Sequence, residues 1–335
     1  MQVGTKICSL QGLEIKTEIK NGRATVELSL PVLSEKDMDG FLIYLWDAQG
    51  ELAFYALHPA GEEDPCIIRL LRPHLWEGGE KPYLYRLEIY GAGGVQDAQE
   101  TQEMCGACGM ERGARRKLLA RLPFPIRELT LASGKGSLLN GCTFLPKLVY
   151  YKDVRAFGGS GGEAFWERLE RRLLWLTGMG ANILRLGEAA GMSSEEYLKL
   201  QDYCDRAGLL LSAGEDCFGN CDLEGCAFGK DCVSGEFLFS AEGCPSAAYY
   251  LQRARWSSAP FVYIHAGSLQ RQSDGLYRVT VYSNQQRVAL FVNDAVFGFQ
   301  SDGPEFVFQD IPARHFPLLL AAEAGGSSMS VTCYR

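Results

Sequence analysis

The feature that most constrains this chain is a short α/β segment set between two strand-rich regions. Residues 163–214 alternate between helical patterns and buried strands, an order that is typical of a parallel sheet. The next helical pattern begins at Ala248, so that about 33 residues (215–247) lie between the two. The middle of the chain can therefore supply only a small parallel sheet.

Short motifs within residues 163–214 predict individual strands and the two ends of a helix. The apolar runs 181–186 and 209–214 predict two buried strands, with a helix between them. Ser193 and Glu196 stand at the spacing of a capping box, which marks the start of that helix. Gly208 follows the helical pattern at the position where a left-handed residue commonly ends a helix.

The flanking regions predict β-sandwiches. Short apolar runs, rich in aromatic and β-branched residues, alternate with turn signals over residues 1–100 and again from about Gly275. Residues 101–118 are polar and glycine-rich and are interpreted as a loop. The predicted fold is multidomain, β plus α/β, with an immunoglobulin-like β-sandwich at 1–118, an α/β unit at 119–265 and a second β-sandwich at 266–335.

Charge and hydropathy exclude some partners. The net charge is −8, from 33 basic and 41 acidic residues, and the longest basic cluster is Arg112–Lys117. Binding to nucleic acid or to an anionic membrane is therefore not expected.

No apolar run approaches the roughly 20 residues of a membrane-spanning helix, and the first residues lack the apolar core of a signal peptide. These features predict a cytoplasmic protein.

The chain has 12 cysteines, and four of them are spaced C-x3-C-x4-C-x5-C at Cys217, Cys221, Cys226 and Cys232. Zinc sites commonly use tighter Cys pairs or include histidine, so that free thiols are the favoured interpretation. A structural zinc ion and one or more disulfides remain open alternatives. No cofactor is expected, because the glycine-rich stretch 157–163 lacks the Lys-Ser/Thr of a phosphate-binding loop.

Several segments, in the same order along the chain, resemble glycoside hydrolase family 2, the β-galactosidase and β-glucuronidase group. Together they cover most of residues 70–300. The segments are PHLWEGGEKPYLYRLEIY (73–90), FPIRELTL (124–131), LLNGCTFLPKLVYY (138–151), LERRLLWLTGMGANILRL (169–186), YLKLQDYCDRAGLLLSAGED (197–216), SGEFLFSAEGCP (234–245) and VYSNQQRVALFVNDAVFG (281–298).

This resemblance implies a truncated (β/α) barrel. The segments 181–186, 209–214 and 234–245 match the first, second and eighth barrel strands, which are neighbours in a closed barrel. We therefore expect three parallel strands to remain as one contiguous sheet. A complete barrel takes about 250 residues, and the family's acid/base lies in an Asn-Glu pair, which occurs nowhere in this chain. The resemblance thus implies that family-type hydrolysis has been lost.

Candidate site residues lie near the predicted strand ends. Arg185 matches the family's first-strand arginine, which supports the catalytic carboxylates, and it could instead form a structural ion pair with Glu215. Arg185 and Asp216 are candidate substrate-binding residues. Because the Asn-Glu pair is missing, catalytic carboxylates would have to be replacement residues. Those near strand ends are candidates, since barrel sites form at the carboxyl ends of the strands. The candidates are Glu188, Glu215, Glu236 and Glu242.

Three functional hypotheses follow from the sequence. The favoured one is a non-catalytic relative that binds carbohydrate or serves in an assembly. The exposed edges of its sheet are expected to be covered by the segment 215–234, by a sandwich domain, or by a second copy or another chain. The second is an active β-glycosidase with a relocated or partner-completed site. The third is a structural remnant without a ligand. The aromatic residues Trp76 and Trp256 could stack on sugars, but they match family core positions and are expected to pack internally.

Overall fold

The fold is that of a computed structural model. It describes residues 13–30, 40–59, 61–62, 64–79, 82–92, 116–132, 136–151, 163–186, 193–213, 238–240, 243–313 and 315–334. The chain divides into two compact units, one of residues 1–146 with 190–208 and the other of residues 147–189 with 209–335. Within the described ranges, no helix is long and apolar enough to cross a membrane.

The elements are mostly strands. The first part of the chain forms β1 (Glu14–Lys20), β2 (Arg23–Ser29), β3 (Gly40–Trp46), β4 (Leu52–Pro59), β5 (Cys66–Leu71), β6 (Tyr85–Ala92) and β7 (Arg116–Phe124). The middle forms β8 (Leu129–Ala132), β9 (Gly136–Leu139), β10 (Cys142–Phe144), β11 (Leu148–Tyr151), α1 (Glu163–Met179), β12 (Ile183–Leu186), α2 (Ser194–Ala207), β13 (Leu210–Ala213) and α3 (Ala247–Trp256). The last part forms β14 (Val262–Arg271), β15 (Tyr277–Ser283), β16 (Arg287–Val292), β17 (Ala295–Ser301), β18 (Glu305–Ile311), β19 (Leu318–Ala324) and β20 (Ser327–Cys333).

The first unit contains a β-sandwich. Its two sheets have the strand orders β1-β2-β5 and β4-β3-β6-β7, with antiparallel neighbours throughout. Alternate residues of both sheets enter one apolar core, which includes the fully buried Val26, Ile43 and Leu87. This alternation is what a two-layer antiparallel fold requires.

The same unit holds a small sheet and one helix. The sheet has the order β10-β9-β8, and Asn140 and Gly141 form the turn between β9 and β10 with φ of 54° and 79°. Helix α2 has the predicted capping box, because the Ser193 hydroxyl accepts from the Glu196 N–H while the Glu196 side chain accepts from the Ser193 N–H. Gly208 ends α2 in the left-handed region at φ 80°. The sequence-based prediction of both helix ends is confirmed.

The second unit contains a three-stranded parallel sheet in the order β11-β12-β13. Helix α1 buries one apolar face, on which Leu169, Leu173 and Leu176 are each fully buried, as the helical spacing predicts. Helices α1 and α3 pack on each other, and the Tyr249 hydroxyl donates to the Trp175 carbonyl oxygen at 2.9 Å.

The C-terminal part of this unit is a second β-sandwich. Its sheets have the orders β14-β15-β18 and β17-β16-β19-β20. Their inner faces share one core, in which Val281, Leu290 and Leu320 are fully buried. The six strand-like runs that follow Gly275 in the sequence correspond to β15–β20.

The structure bears on three sequence-based expectations. The third strand of the described parallel sheet is Leu148–Tyr151. The segment 234–245, expected to supply that strand, lies partly outside the described ranges, and its described residues form an isolated antiparallel bridge between Phe239 and Pro245. The segment 138–151, which is continuous in the family resemblance, is divided between two sheets, because Pro146 interrupts it and Leu148–Tyr151 pairs with β12. Residues 116–118, predicted as loop, begin β7, because Arg116–Phe124 pairs along the whole of β6.

Candidate functional site

The carboxyl ends of β11, β12 and β13 lie side by side, and this edge of a parallel sheet is where α/β proteins bind ligands. Tyr150, Arg185 and Ser212 occupy one register row across the three strands, one residue before each strand ends. Because paired residues of parallel strands point to the same side, the three side chains share one face of the sheet. This row is the candidate functional site.

The row changes the chemistry of an otherwise apolar face. The preceding row on the same face consists of Leu148, Ile183 and Leu210, all of them buried. Next to this floor the sheet presents a phenol, a guanidinium and a hydroxyl. A strand end that turns from apolar to polar in one step is typical of a ligand site on a rigid scaffold.

Among the described residues, Ser212 and Arg185 have side chains without an assigned partner. The Ser212 side chain is 5% exposed, and its Oγ has no hydrogen-bond partner in the part of the chain that the structure describes. Arg185 is half-buried, and no ion pair of its guanidinium occurs among the described residues. Buried polar groups are normally satisfied, so the free Ser212 hydroxyl is consistent with a group that binds something else.

The opposite ends of the strands are fixed by Asn182 and Lys147. The Lys147 N–H donates to Asn182 Oδ1 at 2.7 Å, and the Asn182 carbonyl accepts from the Leu210 N–H at 2.9 Å. Lys147 Nζ donates to the Trp256 carbonyl oxygen at 2.6 Å, and burial lowers the pKa of this amine. These bonds join the starts of all three strands and thereby hold the row of the candidate site in register.

The chemistry of the row is that of binding. Arg185 supplies a permanent charge with several donors, while Tyr150 and Ser212 can each donate and accept. A retaining glycosidase needs two carboxylates about 5–5.5 Å apart, and the row itself contributes none. Within the described residues, this site can hold a polyol or an anion but has no acid and nucleophile pair.

Most of the predicted site residues lie outside the described ranges. These are Glu188, Glu215, Asp216, Glu236 and Glu242, together with the candidate metal ligands Cys217, Cys221, Cys226 and Cys232. Arg185 is the one predicted site residue that the structure places, at the centre of the row on β12. The proposed pairing of Arg185 with Glu215 is therefore not tested.

Sequence reasoning missed Tyr150 and Ser212. Ser212 is a single polar position in the apolar run LLLSAG, and that break in pattern could have marked it. Tyr150 lies in the segment 138–151, in which no local signal indicates that it stands beside Arg185. Trp76 is buried as predicted, at 1% exposed, whereas Trp256 is only partly buried.

Comparison with known proteins identifies the fold. The structure is similar to the FMN-binding β-glucuronidase from Facaelibacterium prausnitzii L2-6, with TM-score 0.67 and 14% identity, over 96% of this chain and 73% of that one. It is also similar to the β-glucuronidase of Parabacteroides merdae, with TM-score 0.64 and 11% identity, over 97% and 64%. A β-glycosidase from Bacteroides vulgatus gives TM-score 0.59 and 14% identity, over 97% and 64%.

These likenesses concern the fold. The chain spans less than two thirds of the Parabacteroides and Bacteroides proteins, although nearly all of it is matched. No protein-family model matches the sequence, and no curated protein sequence matches it significantly. The fold is thus that of β-glucuronidases and related β-glycosidases, at a sequence identity too low to carry over their site residues.

Proposed function

We propose that this chain is a shortened glycosidase-like protein that binds carbohydrate and does not hydrolyse it. The observation that carries the proposal is the parallel sheet, which has three strands in the described residues, within a fold matched to β-glucuronidases over 96% of the chain. An eight-stranded barrel places catalytic groups from several strand ends around one site. A three-stranded sheet supplies only part of such a site.

The lack of hydrolysis is inferred from the chemistry that glycoside cleavage needs. One carboxyl group must protonate the leaving oxygen while a second acts as nucleophile or base. The row Tyr150, Arg185 and Ser212 contains neither group. The sequence also has no Asn-Glu pair to supply the family's acid/base.

Carbohydrate is the proposed ligand because the matched proteins, by their names, act on glucuronides and other β-glycosides. The row suits such a ligand. The Arg185 guanidinium can pair with a uronic carboxylate or with vicinal hydroxyls, and the Ser212 hydroxyl has no hydrogen-bond partner within the described ranges. The test is calorimetric titration of the purified protein with 4-nitrophenyl β-D-glucuronide, galactoside and mannoside.

We expect weak but saturable binding of at least one glycoside. Arg185→Met, which keeps the length of the side chain but removes its charge, should weaken binding about tenfold or more, as expected for a lost charged hydrogen bond. Arg278→Met is the matched control, because Arg278 is an exposed arginine on β15, a strand that does not belong to the parallel sheet. Equal binding by both variants would reject the site, and no binding by the unaltered protein would favour a remnant without ligand.

A second role, in assembly, is favoured by the edges of the sheet. Among the described residues β11 and β13 pair only with β12, and a bare strand edge invites association. We propose that a second copy or a partner chain covers at least one edge, unless residues 215–234 do so. Hydrogen exchange should then be slow in Leu148–Tyr151 or Leu210–Ala213 compared with the edge strand β20.

Light scattering separates these cases. A mass above the 37.0 kDa of one chain together with a protected edge supports a second copy. A monomer with a protected edge points to covering by the chain itself. Rapid exchange in both edge strands would contradict the proposal.

A further inference from the structure

A second candidate ligand site lies on the outer face of the C-terminal sandwich. It is an open cavity of about 590 Å³ on the sheet β17-β16-β19-β20. Cavities of several hundred Å³ are the usual size for small-molecule sites. The residues around it include Arg287, Ala289, Phe299, Glu323, Gly325 and Ser328.

The register explains why a groove forms there. Ala289 on the central strand β16 pairs with Phe299 on one side and with Glu323 on the other. Since neighbouring strands lie about 4.8 Å apart, the backbones that carry the aromatic ring and the carboxylate are about 10 Å apart. The small Ala289 side chain between them forms the floor, so that the groove is about as wide as one six-membered ring.

The walls of this groove differ in character. Phe299 is 55% exposed, and the Arg287 guanidinium lies over its ring at 4.3 Å from the centroid. Glu323 faces the ring across the floor, and Ser328 is the next residue in the same row. One wall is thus apolar and cationic, and the other offers acceptors.

The end of the groove is a turn of two glycines. Gly325 and Gly326 connect β19 to β20 with φ of 55° and 84°. The Gln285 side chain packs so closely on Gly325 that a β carbon there would collide with it. Both glycines lie in the left-handed region of backbone conformation, which glycine adopts without strain.

We infer that this groove binds a neutral pyranose ring, as a second sugar site separate from the row around Arg185. A pyranose has one face of C–H groups, which suits the exposed Phe299 ring, and a rim of hydroxyls. Glu323 can accept from two of these hydroxyls, while Arg287 and Ser328 can donate to others. Glu323 would repel the carboxylate of a uronic acid. The inference shares the ligand class of the proposed function but not its site.

Methyl NMR of the full-length protein with ¹³C-labelled alanine tests this inference. Ala289 is the floor of the groove, its signal is assigned by its loss in Ala289→Ser, and Ala24 in the N-terminal core is an internal control. Titration with methyl β-D-glucopyranoside and with methyl β-D-galactopyranoside should shift the Ala289 signal saturably for at least one of them. The Ala24 signal should stay in place.

Variants complete the test. Phe299→Ala and Glu323→Gln should each weaken the titration about tenfold, and Ala289→Leu should abolish calorimetric binding at this site by filling the floor. Val296→Ala and Glu305→Gln are the controls, since Val296 is an exposed apolar residue of the same strand and Glu305 is an exposed carboxylate of β18. Both should bind as the unaltered protein does.

Three results would overturn the inference. They are an Ala289 signal that no sugar shifts, a stronger response to methyl β-D-glucopyranosiduronate than to the neutral sugars, and a shift that depends on protein concentration alone. The last would assign the face to self-association. Because Arg185→Met should leave the Ala289 titration unchanged, failure here is distinguishable from failure of the site on the parallel sheet.

Discussion

Arg127 Nη1 donates to Asp205 Oδ1 at 2.6 Å, in an ion pair whose side chains are 9% and 2% exposed. The same guanidinium lies 4.2 Å from the centroid of the Trp76 ring, and Trp76 Nε1 donates to the Asp205 carbonyl oxygen at 3.0 Å. Three residues far apart in sequence thus fasten the end of α2 within the first unit. Burial raises the pKa of Asp205, against the opposing effect of Arg127.

Removal of Arg127 should therefore be costly. Arg127→Ala leaves a buried carboxyl group without its partner, and we expect a loss of about 3 kcal/mol in the free energy of unfolding. Guanidinium denaturation followed by circular dichroism measures the loss. The double variant Arg127→Met with Asp205→Leu should lose clearly less than the sum of the single variants.

A surface pair in the same helix provides the control. Arg206 Nη2 lies 2.7 Å from Asp202 Oδ2, with the arginine side chain 53% exposed. Arg206→Ala should cost less than about 0.5 kcal/mol, because exposed ion pairs contribute little. Equal losses in Arg127→Ala and Arg206→Ala would contradict the account of the buried pair.

Glu88 is predicted to organise the outer face of the sheet β4-β3-β6-β7. Glu88 is 5% exposed. Its carboxylate accepts from Trp46 Nε1 at 3.1 Å, from the Tyr90 hydroxyl at 3.1 Å and from Arg121 Nε at 2.8 Å. Glu88→Gln places an amide donor where only donors converge, so that we expect a loss of about 1–3 kcal/mol. Glu51→Gln, at an exposed position, should be neutral in the same denaturation experiment.

A spectroscopic readout separates a charge effect from a packing effect at Glu88. Burial and then the Glu88 carboxylate raise the pKa of Tyr90. Loss of the negative charge in Glu88→Gln should consequently lower that pKa. NMR titration with ¹³C-labelled tyrosine follows it, and an unchanged Tyr90 titration would show that the charge does not act on the phenol.

The cysteines should divide sharply in reactivity. Burial raises the pKa of the Cys66, Cys204 and Cys333 thiols, whereas Cys142 and Cys244 are exposed. Because the thiolate is the reactive form, iodoacetamide at pH 8 should label Cys142 and Cys244 before the other three cysteines that the structure describes. Peptide mass spectrometry measures the labelling of each cysteine. Early labelling of Cys204 would mean that the end of α2 opens readily.

Sequence reasoning succeeded where the signal is local. The capping box of Ser193 and Glu196 and the terminal Gly208 predicted both ends of α2, because each depends on residues within one helical turn. The buried strands 183–186 and 210–213 were predicted from short apolar runs for the same reason. The likeness in fold to β-glucuronidases is also consistent with the family resemblance found in scattered motifs.

Non-local relationships could not be predicted. From the sequence alone, the four residues of β11 could pair with the hairpin before them or with a later strand. Their actual partner β12 lies 35 positions further along the chain. The Arg127–Asp205 pair spans 78 positions, and nothing near either residue predicts the other. The row of Tyr150, Arg185 and Ser212 exists only once three separate strands are aligned, so the sequence could propose Arg185 alone.

The central claim is that the shortened parallel sheet cannot cleave glycosides, and nitrophenolate release tests it most directly. The purified chain should release no more nitrophenolate than buffer from 4-nitrophenyl β-D-glucuronide, galactoside and mannoside. Glu188→Gln, Glu215→Gln, Glu236→Gln and Glu242→Gln should be indistinguishable from the unaltered protein. Turnover by the unaltered protein that any one of these substitutions abolishes would contradict the account and establish a working glycosidase.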